Sequence, residues 1–583
     1  MKWTKNIATQ NISFIEMEEK IFKTNEDPEK KYGNVTCKVI GFEKLASLIR
    51  DAIKNKIMIY VLADYDCDGV MSGAEWTLLL KALGCENYKI RAPRRISEGY
   101  GMSDIIVDEI IKYPMGLVIM VDNGIAAIEQ TKRLQDYGWQ VAILDHHLPS
   151  PKGIPDADIV IDPEAIPNSA DFKHYCGAGL TYKFAEHLTS LPKDDQMHID
   201  KITEKKILSF ASIATIADVV PLVDTENESY DNWLIVRRGL RTILEKDGRT
   251  IGLYALLRLT GLDTSINEEN YGFKIGPIIN ASGRMYDDGA NFAIKAMVFD
   301  EYDFSKAEEL ANELIENNNE RKRVQSEATK RISESTGTPE HNIVVVKDDE
   351  ISEGVAGLVA GDLCNTYNIP SIMLVKTSKG FYKGSARSTS DINIKALLDK
   401  HSDLIYKYGG HTQAAGITIL PEKFDEFKAA LEKEVGAYIE KEKEIVYDYE
   451  LPPSQAGEIM KYLKMFAPYG TGNEKPVFYI SNFEIATTKY SDGYEVLGSE
   501  KKTIKLRNKY MSAINFSGGV QKVAETISGN PVESKEDALK ILSSPFTFKK
   551  PHALSLIGTL SENTYYGKTS IQMIFSDVRK VGA

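Results

Sequence analysis

Acidic residues follow several predicted strands of this 583-residue chain, and their side chains could bind divalent cations. Three carboxylates alternate after the first strand, in the segment Asp64-Tyr65-Asp66-Cys67-Asp68-Gly69. The other candidates follow later strands or interrupt a buried helical segment, and they are Asp122, Asp145, His146, His147, Asp162 and Asp218. Taken alone, Asp162 is best interpreted as a helix N-cap. The remaining carboxylates would raise one another's pKa values unless cations offset their charge, so metal binding is the simplest explanation.

The ligand types indicate which metal and which chemistry to expect. Carboxylate oxygens with a minority of imidazole nitrogens favour Mn²⁺ or Mg²⁺ over Zn²⁺. Two such ions that share a carboxylate would lower the pKa of a bridging water and hold a phosphodiester for in-line attack. The pattern therefore predicts a two-metal site.

Predicted parallel strands place these side chains at one edge of a sheet. Between residues 41 and 162, helical periodicity alternates with short β-branched runs, which is typical of an α/β fold. The predicted strands are Lys56–Ala63, Gly116–Val121, Gln140–Leu144 and Asp158–Ile161. Ligands of open α/β sheets bind beyond the carboxyl ends of the strands, where the acidic residues lie.

The rest of the chain is predicted to add a second α/β domain and a C-terminal β-barrel. A charged stretch from Tyr302 to Ser335 predicts a long connecting helix, and a strand at Asn342–Val346 begins the second α/β region. Short strands at Val477–Ile480, Thr503–Leu506 and Ile571–Phe575 predict a small β-barrel. We divide the chain into residues 1–40 (N-terminal extension), 41–300 (catalytic α/β domain), 301–336 (connecting helix), 337–440 (second α/β domain) and 441–583 (OB-like nucleic-acid-binding domain).

Two motifs of the second α/β domain could bind phosphate. Ser385 and Arg387 lie two residues apart on a predicted strand, so their hydroxyl and guanidinium groups share one face and can grip a phosphate. The segment Gly409-Gly410-His411 has two interpretations. Its glycines could allow tight packing of a helix on a sheet, or they could let N–H groups approach a phosphate to which His411 also donates.

Charge is divided unevenly along the chain. The formal net charge is −13, but residues 501–583 carry 13 Lys and Arg against 6 Asp and Glu, so this tail is +7 and the remainder is −20. Such asymmetry indicates that the basic part binds a polyanion. Aromatic residues in or beside the tail favour base stacking on single-stranded nucleic acid, although some must belong to the barrel core. They are Tyr490, Tyr494, Tyr510, Phe516, Tyr565 and Tyr566.

Composition and pattern argue against several other classes of protein. With 43% hydrophobic and 27% charged residues, the chain is typical of globular proteins. The longest apolar run, Ile207–Val223, contains Asp218 and Pro221 and is too short to span a bilayer. The five cysteines include no CxxC pair, which argues against a disulfide framework or a thiolate zinc site. No apolar segment follows the charged N terminus, so we expect a cytoplasmic protein.

Four ordered motifs resemble those of the DHH phosphoesterase superfamily. They are Asp64-Tyr65-Asp66-Cys67-Asp68-Gly69, Val121-Asp122-Asn123-Gly124, Asp145-His146-His147 and Ile216-Ala217-Asp218. The resemblance implies the metal ligands Asp64, Asp66, Asp68, Asp122, His146 and Asp218. It also implies that Asp122 is a catalytic bridge between two ions, and that His147 is a catalytic residue that supports the ligands or faces the phosphate.

Four further motifs narrow the resemblance to the bacterial RecJ exonucleases, which degrade single-stranded DNA from the 5′ end. They are Arg95–Ser103, Gly276–Arg284, Gly409–Gly416 and Pro468–Asn473. The resemblance implies the domain order DHH, DHHA1 and OB. It also implies the substrate-binding residues Arg95, Arg284, Ser385, Arg387 and His411. Of these, Arg95, Ser385 and Arg387 would hold the 5′ phosphate. Two positions depart from the family pattern, because Ile278 replaces an arginine and Ser352-Glu353 replaces a His-Pro pair.

The resemblance implies a metal-dependent 5′-to-3′ exonuclease in DNA repair or recombination, with two Mn²⁺ or Mg²⁺ ions and single-stranded DNA as substrate. One alternative is a DHH phosphodiesterase of short oligonucleotides or cyclic dinucleotides. Another is a degenerate member of the family that only binds DNA or a replication partner. We expect a monomer, with a single-strand-binding protein or a helicase as candidate protein partner.

Overall fold

The computed structural model describes residues 2–440, 444–486, 493–516, 518–543, 552–565 and 568–582. The chain folds into two compact units. One consists of Thr36–Lys441, and the other joins Met1–Val35 to Glu442–Ala583. Within the described ranges, every helix is too short or too polar to cross a lipid bilayer.

The N-terminal segment packs in the unit that also contains the C-terminal residues. It forms β1 (Lys2–Lys5), α1 (Phe14–Phe22) and α2 (Pro28–Tyr32). The Trp3 indole N–H donates to Asp577 Oδ2 at 2.7 Å, and the Phe22 ring stacks on Phe466 with centroids 5.4 Å apart. Residues that the sequence predicts only as an extension therefore contribute to the core of the C-terminal unit.

The larger unit begins with a parallel sheet that is covered by helices. Its elements are α3 (Phe42–Lys54), β2 (Met58–Leu62), α4 (Cys67–Ala82), β3 (Tyr88–Arg91), α5 (Asp104–Ile110), β4 (Gly116–Val121), α6 (Ile128–Asp136), β5 (Gln140–Leu144) and β6 (Ile159–Ile161). The strand order is β3-β2-β4-β5-β6, and all neighbours are parallel. The four predicted strands correspond to β2, β4, β5 and β6. Strand β3 is not among the predicted strands, because its four residues are too few to show a clear alternation of apolar and polar side chains.

A helical region follows the sheet and ends in a long helix. It comprises α7 (Gly177–Ser190), α8 (Lys201–Ala217), α9 (Asp231–Thr242), α10 (Ile251–Leu259), α11 (Glu268–Asn270), a π-helical turn (Tyr271–Ile275), α12 (Gly276–Met285), α13 (Gly289–Met297) and α14 (Phe304–Thr336). Helix α14 is the 33-residue helix that the charged stretch predicts. Leu310 and Leu314, four residues apart on it, are buried in the helical core.

The second α/β region completes the larger unit. Its elements are β7 (Val344–Lys347), α15 (Glu353–Tyr367), β8 (Ser371–Lys376), β9 (Tyr382–Arg387), α16 (Ile394–Asp399), β10 (Lys407–Gly410), β11 (Ala414–Ile419) and α17 (Phe424–Val435). The strand order is β10-β11-β9-β8-β7, and only β7 and β8 are parallel to each other. Helix α15 packs on β8 and β9 and so faces the strand that carries Ser385 and Arg387.

The C-terminal unit is built on a mixed seven-stranded sheet. Its elements after the larger unit are β12 (Glu444–Tyr447), β13 (Tyr449–Glu450), α18 (Ala456–Phe466), β14 (Phe478–Glu484), β15 (Tyr494–Leu497), β16 (Thr503–Arg507), β17 (Ser512–Asn515), α19 (Gly519–Ser528), α20 (Lys535–Ser543), β18 (Ala553–Tyr565) and β19 (Lys568–Lys580). The strand order is β13-β14-β18-β19-β17-β16-β15, and β1 pairs with β12 in a separate parallel ribbon. The three strands predicted for this region lie in β14, β16 and β19.

Candidate active site

The carboxyl edge of the parallel sheet collects the predicted metal ligands. Asp64 follows β2, Asp66 caps α4, and Asp68 lies in the first turn of that helix. Asp122 follows β4, and Asp218 is the C-cap of α8. Asp64, Asp68 and Asp122 each expose 3% of their surface or less, so their charges are removed from bulk water.

His146 lies at the centre of the cluster. Its Nε2 is 3.1 Å from Asp122 Oδ1, 3.6 Å from Asp218 Oδ2 and 3.7 Å from Asp68 Oδ2. Among the described residues, the donor atoms of three groups of side chains lie within 4.8 Å of one another inside each group. The groups are Asp64 with Asp66 and Asp122, Asp68 with His146 and Asp218, and Asp122 with His146 and His147. Because Asp122 belongs to two of the groups, its carboxylate lies where two cations could share it.

Close backbone contacts fix the geometry of this cluster. A Cβ atom at Gly69 would lie 2.3 Å from the Asp64 carbonyl group, and one at Gly177 would lie 2.5 Å from the Asp122 Cβ atom. Glycine at these two positions lets α4 and α7 begin directly against the strand ends. The first two N–H groups of α7 donate to the two carboxylate oxygens of Asp68 at 2.6 and 2.8 Å, so the helix N terminus offsets part of that charge.

Burial and mutual repulsion leave the carboxylates short of positive charge. The pKa values of Asp64, Asp122 and Asp218 are raised well above their usual range, first by burial and then by neighbouring carboxylates. Burial lowers the pKa of His146, so its ring is neutral at pH 7 and offers a nitrogen lone pair. Asp64 Oδ1 is buried and accepts no hydrogen bond from the described residues. These oxygen and imidazole donors fit a divalent cation such as Mn²⁺ or Mg²⁺.

Asp145 positions His147, although the sequence analysis assigns it no role of its own. Its carboxylate accepts the Ile125 N–H and pairs with His147 Nδ1, both at 2.8 Å. Burial opposes protonation of His147, but the hydrogen bond and charge of Asp145 raise the pKa of that imidazole to about 9. Nε2 of the same ring lies 3.4 Å from the Tyr100 hydroxyl. The sequence signal for this positioning role is the place of Asp145 directly before the histidine pair.

A cleft of about 470 Å³ opens beside the acidic cluster, within the larger unit. Tyr65, which stands between two candidate ligands, and Tyr100 line it. The structure brings together four of the predicted substrate-binding residues here, namely Arg95, Arg284, Ser385 and Arg387. It adds charged residues that the sequence analysis did not assign, namely Glu353, Lys383 and Lys407.

Positive charges crowd this cleft. Burial and the charge of Arg95 lower the pKa of Arg284 to about 10, and burial lowers the pKa of Arg387. The Arg95 guanidinium carbon lies 4.5 Å from the centroid of the Tyr65 ring, and Arg387 donates to the Ser385 hydroxyl. Because these guanidinium groups are largely buried beside other cations, a bound phosphate would stabilise them.

Three other positions lie outside this arrangement. His411 is exposed at the turn between β10 and β11, where its N–H donates to the Ala414 carbonyl at 2.8 Å, and it is not among the described residues that line the cleft. Its contact with substrate stays a prediction. Ile278 is buried in α12, and Ser352 occupies the N-cap position of α15.

The C-terminal unit exposes part of the predicted aromatic set. Tyr510 and Phe516 are exposed, and the Lys509 ammonium group lies 5.4 Å from the centroid of the Tyr510 ring. The Tyr494 hydroxyl donates to a backbone carbonyl of α20 and is therefore engaged inside the unit. Tyr490, Tyr566 and the side chain of Tyr565 lie outside the described residues.

Three protein-family profiles match successive parts of the chain. The profile described as DHH family, N-terminal domain, matches residues 58–215, the DHHA1 domain matches 340–437 and the RecJ OB domain matches 447–577. The chain belongs to the RecJ family. The predicted family and fold class are therefore confirmed.

Curated RecJ-family relatives are named single-stranded-DNA-specific exonucleases. The Bacillus subtilis relative is 31% identical over 82% of this chain, and the chain spans 58% of that relative's length. The Haemophilus influenzae relative is 29% identical over 75% of this chain and 77% of its own length. A relative from Bacillus phage SPbeta is 24% identical over 84% of this chain and 86% of its own length.

Solved RecJ structures share the fold. The Mn²⁺ complex of RecJ from Thermus thermophilus covers 100% of this chain and 80% of its own chain, with a TM-score of 0.72 at 23% identity. Another exonuclease RecJ structure bound to manganese covers 69% of this chain and 96% of its own chain, with a TM-score of 0.57 at 27% identity.

Proposed function

We propose that this chain is a metal-dependent 5′-to-3′ exonuclease that hydrolyses single-stranded DNA. One observation carries the proposal: the larger unit contains two neighbouring sites of opposite charge. One is the acidic cluster, in which Asp122 belongs to two groups of donor atoms, and the other is the cationic cleft, which Tyr65 lines. The names of the RecJ relatives and the manganese in the related structures support the same activity.

The acidic cluster would hold two Mn²⁺ or Mg²⁺ ions. The proposed ligands are Asp64, Asp66, Asp68, Asp122, His146 and Asp218. When bound, the two ions would lower the pKa of a water molecule and stabilise the charge that develops on the scissile phosphate. Among these ligands, Asp122 is the carboxylate that belongs to two of the groups of donor atoms.

The side chains around the ligands would orient the phosphate. Asp145 pairs with Nδ1 of His147 and favours protonation of that ring, so its Nε2–H could donate to a phosphate oxygen. In the hydrolysis, the water oxygen bonds to phosphorus and the bond from phosphorus to the 3′ oxygen breaks. The 3′ oxygen takes a proton, which leaves a nucleoside 5′-monophosphate and a strand with a new 5′ phosphate.

The cationic cleft would set the direction of cleavage. Arg95, Arg284, Ser385 and Arg387 converge on it and together can bind the oxygens of a terminal phosphate. A terminal phosphate carries more charge and more free oxygens than an internal diester, so a crowd of guanidinium groups favours the chain end. Binding of the 5′ end there would present the next phosphodiester to the acidic cluster.

The C-terminal unit would add affinity for the strand. Exposed Tyr510 and Phe516 can stack on bases, and Lys509 can contact the phosphate backbone. Because released counterions make such contacts salt-dependent, Lys509→Gln should reduce the slope of log affinity against log salt by about one. The protein partners, the monomeric state and the cytoplasmic location stay predictions.

Degradation of end-labelled DNA tests the proposal. We expect 5′-labelled single strands to lose their label first in Mn²⁺ or Mg²⁺, with little action on duplex DNA and none in EDTA. Release of a 3′ label first would contradict the proposed direction. Cleavage of dinucleotides alone would favour the short-oligonucleotide phosphodiesterase, and DNA binding without cleavage would favour the degenerate member.

A further inference from the structure

An acidic residue lies in the cationic cleft. Glu353 is the single carboxylate among the described residues that line it, and it faces a set of cations formed by Arg95, Arg284, Lys383, Arg387 and Lys407. Glu353 Oε2 lies 3.2 Å from Lys383 Nζ, and the Glu353 side chain is only 14% exposed. One of the five positive charges is therefore already paired before any phosphate enters.

The backbone holds Glu353 in this position. It is the first residue of α15, and the next residue, Gly354, packs so closely that a Cβ atom there would lie 2.1 Å from the Arg284 carbonyl oxygen. One turn further, a Cβ atom at Gly357 would lie 3.2 Å from Arg387 Nη2. The start of α15 is thus wedged between two arginines of the cleft, so the carboxylate is a fixed part of its wall.

A phosphate cleft of this kind has two opposing tasks. In the proposed reaction, the phosphate at the 5′ end enters the cleft with the strand and leaves with the mononucleotide after the cut. Cations that bind the strand end tightly also retain the product, and product release often limits turnover. A carboxylate near the phosphate would weaken binding of the strand end and of the mononucleotide product alike, since like charges repel strongly in a partly buried site.

We propose that Glu353 is a specificity-determining residue that limits how tightly the cleft holds a terminal phosphate and so promotes release of the mononucleotide. This inference rests on the proposed function, because it takes a 5′-phosphorylated nucleotide as the ligand.

Two substitutions remove the charge in different ways. Glu353→Gln keeps the size and polarity of the side chain. Glu353→Pro installs the residue of the family pattern, and the site can accept it because proline suits the first position of a helix. The preceding Ser352 has φ −75° and ψ 153°, an extended conformation that is compatible with a following proline. Two variants that share only the loss of charge guard against an effect of shape.

The decisive measurement is the affinity of the metal-free protein for thymidine 5′-monophosphate, by titration calorimetry. We expect both variants to bind it about tenfold more tightly than the wild type, as removal of one nearby like charge implies. Binding of thymidine, which lacks the phosphate, should not change. Glu350→Gln is the matched control, because Glu350 precedes the same helix but pairs with Arg331 at 2.9 Å and does not line the cleft.

Lys383 provides the complementary test. Lys383→Gln should weaken binding of the nucleotide, because it removes a cation and leaves the Glu353 carboxylate without its partner. Adding Glu353→Gln to that variant should restore most of the lost affinity. An unchanged affinity in both Glu353 variants, or equal tightening in Glu350→Gln, would overturn the inference.

The nucleotide titration needs no turnover, so it is independent of the exonuclease assay. If the wild type fails to cleave DNA yet the Glu353 variants bind the nucleotide more tightly, the proposed function is wrong and the role of Glu353 as a counter-charge stands. If DNA is cleaved and the affinities do not differ, the proposed function stands and the inference about Glu353 fails.

Discussion

The acidic cluster and the cationic cleft are opposites built in the same unit. In the cluster, burial and neighbouring carboxylates raise the pKa values of Asp64, Asp122 and Asp218. In the cleft, burial lowers the pKa values of Arg284 and Arg387, and a neighbouring arginine lowers that of Arg284 further. Folding therefore holds like charges together in both places. A ligand of opposite charge would relieve each, cations in one and a phosphate in the other.

The first prediction concerns the carboxylate of Asp122 in the acidic cluster. Asp122→Ala should reduce cleavage of single-stranded DNA by more than about a thousandfold, because it removes the carboxylate that belongs to two of the three groups of donor atoms. Binding of DNA should persist, since the cationic cleft is intact. Cleavage by the purified variant is measured with labelled oligonucleotides, and near-normal activity would rule out a shared carboxylate.

The second prediction concerns a substitution in the cationic cleft that keeps the positive charge. Arg387→Lys should lower activity on 5′-phosphorylated strands by about thirtyfold, because a lysine cannot match the planar, two-point contact of a guanidinium group with phosphate. The loss should be smaller on 5′-hydroxyl strands, which lack the terminal phosphate. Equal losses on the two substrates would show that Arg387 does not read the strand end.

The third prediction separates stability from activity in the acidic cluster. In EDTA, Asp122→Asn should raise the free energy of unfolding by about 2 kcal/mol, since it removes one of several mutually repelling buried carboxylates. Added Mn²⁺ should raise the melting temperature of the wild type more than that of the variant. Thermal unfolding with and without Mn²⁺ measures both effects, and a less stable variant in EDTA would contradict the idea of relieved repulsion.

The fourth prediction tests whether a buried carboxyl group with a raised pKa must also bind a metal ion. Glu18 in the C-terminal unit is buried, and burial together with the charge of Glu474 raises its pKa to about 8 from an ordinary value of 4.5. Between these two pH values the folded protein retains a proton that the unfolded chain has released, so this group makes stability fall as pH rises.

Glu18→Gln removes that titration. It should leave stability nearly unchanged at pH 5 and raise it by on the order of 2 kcal/mol at pH 8. Mn²⁺ should have no influence on this difference, unlike the difference produced at Asp122. Denaturant unfolding at the two pH values measures it, and a larger gain at pH 5 than at pH 8 would show that Glu18 is not protonated in the folded protein.

The sequence reveals the acidic cluster better than the cleft because of how each is assembled. Asp64 and Asp122 directly follow apolar strands, so a local pattern gives both the element and its acidic end. The cleft takes residues from two loops, two helices and three strands, several of which are far apart in the chain. Ser385 and Arg387 share a strand and are recognisable, whereas Lys383 and Glu353 meet only through tertiary packing.

Two other features depend in the same way on contacts between distant parts of the chain. The sequence gives no local sign that the N-terminal residues pair with the C-terminal unit, since the contact from Trp3 to Asp577 spans 574 positions. His411 belongs to the same glycine-containing motif as Gly409, which lines the cleft, but His411 is not itself among the described lining residues, so its contact with substrate stays a prediction. Short-range pattern predicts elements well, and it cannot fix which distant elements meet.

The placement of the first strand and helix has a consequence for synthesis of the protein. Residues 2–35 are made hundreds of codons before the Phe466 ring that stacks on Phe22 and the Asp577 carboxylate that accepts from Trp3. The larger unit can fold in the interval, because all of its residues are made before β14 to β19. The apolar face of α1 therefore stays exposed to solvent or to chaperones until the later residues of the C-terminal unit have been made.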